Sequence, residues 1–224
     1  MTATHSEPIA TAADLVAGLG GVPLERIWLS PRPGTATEAD VVRIVESADK
    51  RLVELVDGTL VEKLVGQRES RVTGELIYHL IGYTKRHDIG WVSIPDGMTR
   101  MSGGNVRLPD AAFYPFSMFP NDTAPNEKVA SVSPALAVEV LSESNTVAEI
   151  AKKLAEFFAS GTTLAWVIDP DRRTAKVYTS ATKFTTLDET GVLDGEGILP
   201  GFLCPLADLF AAGDHLSATR KKAP

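Results

Sequence analysis

The chain has 224 residues, of which 44% are apolar and 23% charged, and its formal net charge is −7. That length supports one substantial core with an appended arm. The acidic balance excludes a protein that coats nucleic acid through bulk positive charge, while leaving room for an enzyme that engages DNA locally around a divalent metal.

Cys204 is the single cysteine, so no intrachain disulfide forms and a reducing, cytoplasmic setting is expected. The first twenty residues hold no Lys or Arg and no long apolar stretch, so no secretory signal is expected. No apolar run approaches the ~20 residues that cross a bilayer, and no membrane partner is expected.

In chain order, residues 1–10 read as disordered. Thr11 is placed to cap a short helix through Leu19, and Gly20-Gly21 to stop it. The PRPGT segment at 31–35 is a rigid linker, and Thr37 opens another short helix over ADVVRIVES. This N-terminal helical arm, 1–48, has apolar positions but no clustered chemistry, and is expected to pack on the core or on a dimer partner. RLVELVDGTLVEKLV is a hairpin turning at Asp57-Gly58, a pair that tolerates positive φ. Arg68 to His87 reads as a helix with Val72, Thr73, Leu76, Leu80 and Tyr83 on one face. Glu69 falls near the middle of that face. Its place in the first turn suits the helix dipole, and its buried azimuth equally suits a site role. Gly90 to Arg107 supplies two or three short strands around a Gly103-Gly104-Asn105 turn. The loop over 115–134 carries four prolines and reads as a flap on the substrate side.

The next segments carry the chemistry. LPDAAFYPF is an apolar run interrupted by Asp110, and PALAVEVLS is one interrupted by Glu139. An ionised carboxylate in an apolar strand is costly unless a cation or hydrogen bonds compensate it. Strand alternation puts Glu139 on a face with Ala137 and Leu141, and Asp110 with Ala112 and Tyr114. If the strands are neighbours, both carboxylates converge on one hard cation such as Mg²⁺. The alternative is two separate carboxylates, each meeting a backbone donor or an arginine.

TVAEIAKKLAEFFASG follows as an amphipathic helix, with Thr146 and Glu149 at capping-box spacing and Gly161 at its C-terminal stop. Its apolar stripe is Val147, Ile150, Ala151, Leu154, Phe157 and Phe158. Lys153 borders that stripe, so it either reaches a site on the sheet or covers apolar surface with its stem. Lys152 points away, near Glu149 and Glu156 at spacings that suit exposed ion pairs. LAWVID is a buried strand, and the DPDR that holds Asp169 and Asp171 is a hairpin turn rather than a second metal pair. A strand–helix–strand unit over 135–168 makes its two strands parallel neighbours. The class is α/β or α+β with a mixed sheet. Phosphate-loop, dinucleotide, nucleophile-elbow and HExxH motifs are all missing, and His79 and His87 are too far apart on their helix to share a metal.

The order VELVDG, VEKLVGQRES, RLPDAAF, LAVEVLSESNT, KLAEFFASG and AWVIDPDRRTAKVYTS resembles the Uma-two family, restriction-endonuclease-domain proteins of the PD-(D/E)xK nuclease superfamily. The resemblance runs over about residues 25–210 and implies a restriction endonuclease-like core at 49–210, a central mixed sheet flanked by helices. The basic ATRKKAP end reads as part of a mobile tail at 211–224. It implies that Asp110 and Glu139, with the Val140 carbonyl, hold Mg²⁺ (or Mn²⁺). Glu69 matches the acidic residue of the first core helix, and Glu54 the hairpin glutamate, with a structural or site-edge role. Leu141 stands where the superfamily lysine would follow Glu139, and Lys153 takes over from the helix. Phe157 replaces a tyrosine common there. The implied activity is metal-dependent hydrolysis of DNA phosphodiesters, most simply by a homodimer that cuts both strands. The acidic charge and the displaced lysine support the alternative, a nuclease-fold protein that binds DNA or a second copy without turnover.

Overall fold

The structure is a computed structural model that describes residues 11–123 and 126–214. The disorder expected over 1–10 lies outside those residues; of the tail expected over 211–224, residues 211–213 instead complete a helix, Leu206–Gly213, and 215–224 lie outside the described residues. Helices α1 (Ala12–Gly18) and α2 (Glu38–Val45) form where the caps predict. Thr11 Oγ1 accepts from Asp14 N at 3.1 Å, and Thr37 N donates to Asp40 Oδ2 at 2.9 Å. Strands β1 (Val53–Val56) and β2 (Thr59–Glu62) make the hairpin, with Asp57 at φ 48° and Gly58 at φ 71°. Two consecutive positive φ values match the turn twist that lets two strands pair tightly. Next come α3 (Gln67–His87), β3 (Gly90–Ser93), β4 (Met98–Arg100), β5 (Val106–Arg107), β6 (Ala111–Pro115), β7 (Val129–Ala130) and β8 (Leu136–Val140). The chain continues through α4 (Val147–Ala159), β9 (Leu164–Asp169), β10 (Thr174–Tyr178), β11 (Phe184–Leu187), β12 (Val192–Asp194), β13 (Leu203–Pro205) and α5 (Leu206–Gly213). Among the described residues, no helix is long and apolar enough to cross a membrane.

Two main sheets result. The larger has order β11-β10-β9-β8-β6-β3 and the smaller β2-β1-β5-β4-β7. β8 and β9 are parallel, joined by α4 as the strand–helix–strand reading requires, while β6 runs antiparallel to β8. The larger sheet is therefore mixed. One of its faces, with Phe113, Val138, Val140, Trp166 and Ile168, packs under α3 and α5. The opposite face, with Ala137, Ala165 and Val167, packs under α4. The smaller sheet closes beside α4. Its outer face takes α2 against Val53, Leu55 and Leu60, and α1 packs with Ile27 against Val56 and Val61. Alternation along β1 then turns Glu54 inward, toward α4.

Two expectations need correction here. The 115–134 segment is not a flap over the site. Phe119 seats against Trp91, ring centroids 4.5 Å apart, and β7 pairs in parallel with β4. Apolar side chains and a sheet edge thus hold its described residues in place. The buried face of α4 is also rotated from the apolar stripe. Val147 is 90% exposed and Ala151 is exposed, whereas Glu149, Ile150, Lys153, Leu154 and Phe157 are buried. Two charged positions replace two apolar ones because each meets an opposite charge, so apolarity alone placed the stripe wrongly.

The turn after α1 presses on the first turn of α4. A Cβ at Gly20, where φ is +83°, would sit 2.7 Å from Glu149 N. Gly18 has open space around it. Gly20→Ala should therefore cost more than about 1 kcal/mol, read as a lower urea midpoint, with Gly18→Ala near wild type. Equal midpoints for the two variants would show that this contact is slack.

Candidate active site

The two sheets and α4 meet at a buried cluster of charges. Asp110, just before β6, is fixed twice to β8: its N–H donates to Val138 O at 2.9 Å, and its Oδ2 accepts from Val140 N at 2.7 Å. Its Oδ1 lies 2.9 Å from Lys63 Nζ, at the end of the hairpin. Glu139 points from β8 to the same place. Its Oε2 is 3.2 Å from Lys153 Nζ and 3.9 Å from Lys63 Nζ, while its buried Oε1 has no hydrogen-bond partner among the described residues. Lys153 also reaches Glu54 Oε1 at 3.1 Å. Glu54 in turn meets Arg107 Nη1 at 3.0 Å and accepts from Leu108 N at 3.1 Å. Arg107 bridges on to Glu156 at 2.6 Å, and Arg26 makes a two-pronged pair with Glu149 at 2.7 and 3.0 Å.

The structure thus brings Asp110, Glu139, Lys153 and Glu54 together. Glu69 stands at the mouth, lining the same cleft with Val140, Leu64 and Val65. Its carboxylate folds back over the start of α3, close enough that a Cβ on Gly66 would meet Oε2 at 2.1 Å. Both readings of Glu69 therefore keep their geometry, dipole and cleft.

Sequence reasoning passed over Lys63, Arg26 and Arg107. Lys63 sits inside the VEKLVG motif and Arg107 two residues before the Pro-Asp pair, so proximity to motifs was an available signal for both. Arg26 belongs to the arm that was expected to carry no clustered chemistry, and nothing local marks it. Lys152 was expected to pair with Glu149 and Glu156. It bonds Asp57 Oδ2 at 2.6 Å and Gly18 O at 3.1 Å instead, because Arg26 and Arg107 already hold those glutamates. Asp169 accepts from Asp171 N and Arg172 N, as a turn aspartate does.

The two glutamates that share Lys153 titrate in opposite directions. Burial pushes both carboxyls up. For Glu54, the charges of Lys153, Arg107 and Lys63, with the Leu108 N–H, overcome burial and hold it at about 2. For Glu139 burial wins over Lys153 and Lys63, helped by the negative charge of Asp110, and its carboxyl titrates above the usual range. The difference is donor count: Glu54 is satisfied on both oxygens and Glu139 on one. Lys153 is held above its ordinary value, since Glu139 and Glu54 outweigh the burial that alone would lower it.

Among the described residues no group of three or more His, Cys, Asp or Glu side chains can hold a metal. The donor set here is two carboxylates, one with an oxygen that lacks a donor. All-oxygen donors completed by a backbone carbonyl and water suit a hard divalent cation. The residues fit such an ion, on the condition that Lys63 yields its place.

Because the folded state holds Glu54 below its ordinary value, its contribution to stability is present above pH 4.5 and is lost as pH falls toward about 2. Glu54→Gln should be less stable at neutral pH and flatter across that acid range, in denaturant midpoints taken at successive pH values. An unchanged acid slope would remove Glu54 from this account.

Residues 40–207 match the Uma2 (Uma-two) family, described as "Putative restriction endonuclease". The fold is similar to that of a crystal structure from Anabaena variabilis ATCC 29413, described as "a putative nuclease belonging to DUF820". Its TM-score is 0.65 at 20% identity, covering 73% of this chain and 92% of that one, which places the two in the same fold. No curated protein matches the sequence. The match spans most of the chain and includes Glu54, Glu69, Asp110, Glu139 and Lys153, so this chain belongs to the Uma2 family.

Proposed function

We propose that this chain is a Mg²⁺-dependent endodeoxyribonuclease, with Mn²⁺ able to substitute, that hydrolyses DNA phosphodiester bonds. The observation that carries the reading is the convergence of Asp110, just before β6, and Glu139, on the neighbouring β8, with one Glu139 oxygen left without a donor among the described residues. Asp110, Glu139 and the Val140 carbonyl would hold the ion, and Asp110 is already oriented by the Val140 N–H. When bound, such an ion polarises a phosphate and lowers the pKa of water. Glu69 stands at the cleft mouth, where a phosphate approaches. Lys153 is 1% exposed and gripped by Glu54 and Glu139, so it acts as a positioning residue that holds Glu139. The superfamily resemblance implies that Lys153 stands in for the missing lysine after Glu139, and in this reading it does so by holding a carboxylate.

The proposal extends to a homodimer, since twofold symmetry sets two sites against the two strands of a duplex. Leu24 and Leu29 of the arm remain exposed and suit a contact between copies. A second reading, DNA binding or dimer assembly without turnover, is favoured by the tightness of the cleft. Its free volume is about 10 Å³, enough for about one water.

Nicking of supercoiled plasmid under Mg²⁺ or Mn²⁺ separates the two. Wild type should nick only with metal, and Asp110→Ala or Glu139→Ala should lose about 10²-fold or more. Lys152→Ala should stay near wild type, costing at most about 1 kcal/mol of stability. Lys153→Ala should lose nicking and also about 3–5 kcal/mol of stability. Metal-independent nicking, or full activity without both carboxylates, contradicts the nuclease reading. Light scattering that finds a monomer removes the dimer.

A further inference from the structure

We propose that Lys63 is a resident counter-cation for the Asp110–Glu139 pair, holding the place of the divalent metal and swinging out before the metal enters. The inference rests on the nuclease reading and adds a gate to it. Lys63 Nζ lies 2.9 Å from Asp110 Oδ1 and 3.9 Å from Glu139 Oε2, and it donates to Leu108 O as well. These two carboxylates are the ones a metal would bridge. The free volume beside them is about 10 Å³, too little for a second cation with its waters.

Coulomb repulsion adds to the steric exclusion. An ammonium and a divalent ion held by the same two carboxylates would repel each other strongly, the more so because the site is shielded from water. Lys153 cannot serve as the movable cation, because it is buried between Glu54 and Glu139 on a helix packed against the sheet. Lys63 is placed differently. Its backbone is pinned by donation to Leu52 O at 2.8 Å, but the residues after it, Leu64 to Gly66, are exposed and lead to the cleft mouth. Lys63 itself is buried, and the exposed residues that follow it are the route by which its side chain would leave. When it leaves, Asp110 keeps its bond from Val140 N and Glu139 keeps Lys153.

Calorimetric titration of Mn²⁺ into the full chain tests the gate without reading activity. Lys63→Met should bind Mn²⁺ at least about tenfold more tightly than wild type, Lys63→Arg should not, and adding Asp110→Asn to Lys63→Met should abolish binding. If Lys63→Met is too unstable to titrate, amine labelling of wild type decides. Labelling of Lys63 should rise several-fold on saturation with Mn²⁺, while Lys153 stays protected. Equal affinities in wild type and Lys63→Met, or Lys63 labelling indifferent to bound Mn²⁺, overturn the gate and leave the metal site standing. Absence of Mn²⁺ binding in wild type and in Lys63→Met overturns both.

Discussion

Lys153 is the constraint on which the rest of the structure depends. Its ammonium is sealed from water between Glu54 of the smaller sheet and Glu139 of the larger one. A buried charge is tolerable only when paired and hydrogen-bonded, and removing one partner is far more costly than never having the pair. The three layers are therefore held at fixed spacing by charge as well as by packing. Arg107 extends the constraint to Glu156, and Arg26 ties the arm to Glu149, so α4 is anchored at three successive turns. The apolar contacts of Ile150, Leu154 and Phe157 supply the burial around it.

The same arrangement gives the cleft its chemistry. Asp110 is oriented by the Val140 N–H and by its own N–H bond to Val138 O, and it faces Lys63, whereas Glu139 has one oxygen on Lys153 and one without a donor among the described residues. On the proposed reading, that acceptor is the place where a ligand bringing positive charge would bind. The deep end of the cluster, Glu54, Arg107 and Lys153, is fully paired and serves structure. The outer end, Asp110, Lys63 and Glu139, is incompletely paired and opens toward Glu69 and the exposed Leu64 and Val65.

Much of this was legible in the sequence, for local physical reasons. Asp57-Gly58 specifies a tight turn, Thr146 and Glu149 a capping box, and an apolar strand–helix–strand run a parallel pair; each appears in the fold. Asp110 and Glu139 stood out because a carboxylate in an apolar strand demands compensation. What compensates them was not legible, since it comes from residues distant in sequence. Arg26 and Glu149 are 123 positions apart, and Arg107 and Glu54 are 53. Helical periodicity also misled at α4, where it counts Val147 as core and Lys153 as border. A charged residue with two distant partners is a core residue in fact, and only tertiary structure reveals the partners.

The most direct measurement of this account is a double-mutant cycle on Glu54 and Lys153, using Glu54→Gln, Lys153→Met and the double variant in urea unfolding at neutral pH. Residues in one buried charged network couple by about 0.5–3 kcal/mol, and with Lys153 at the junction the account predicts a value in the upper half of that range. A coupling within about 0.5 kcal/mol of zero would mean that Lys153 does not join the two sheets, and the central claim would fail.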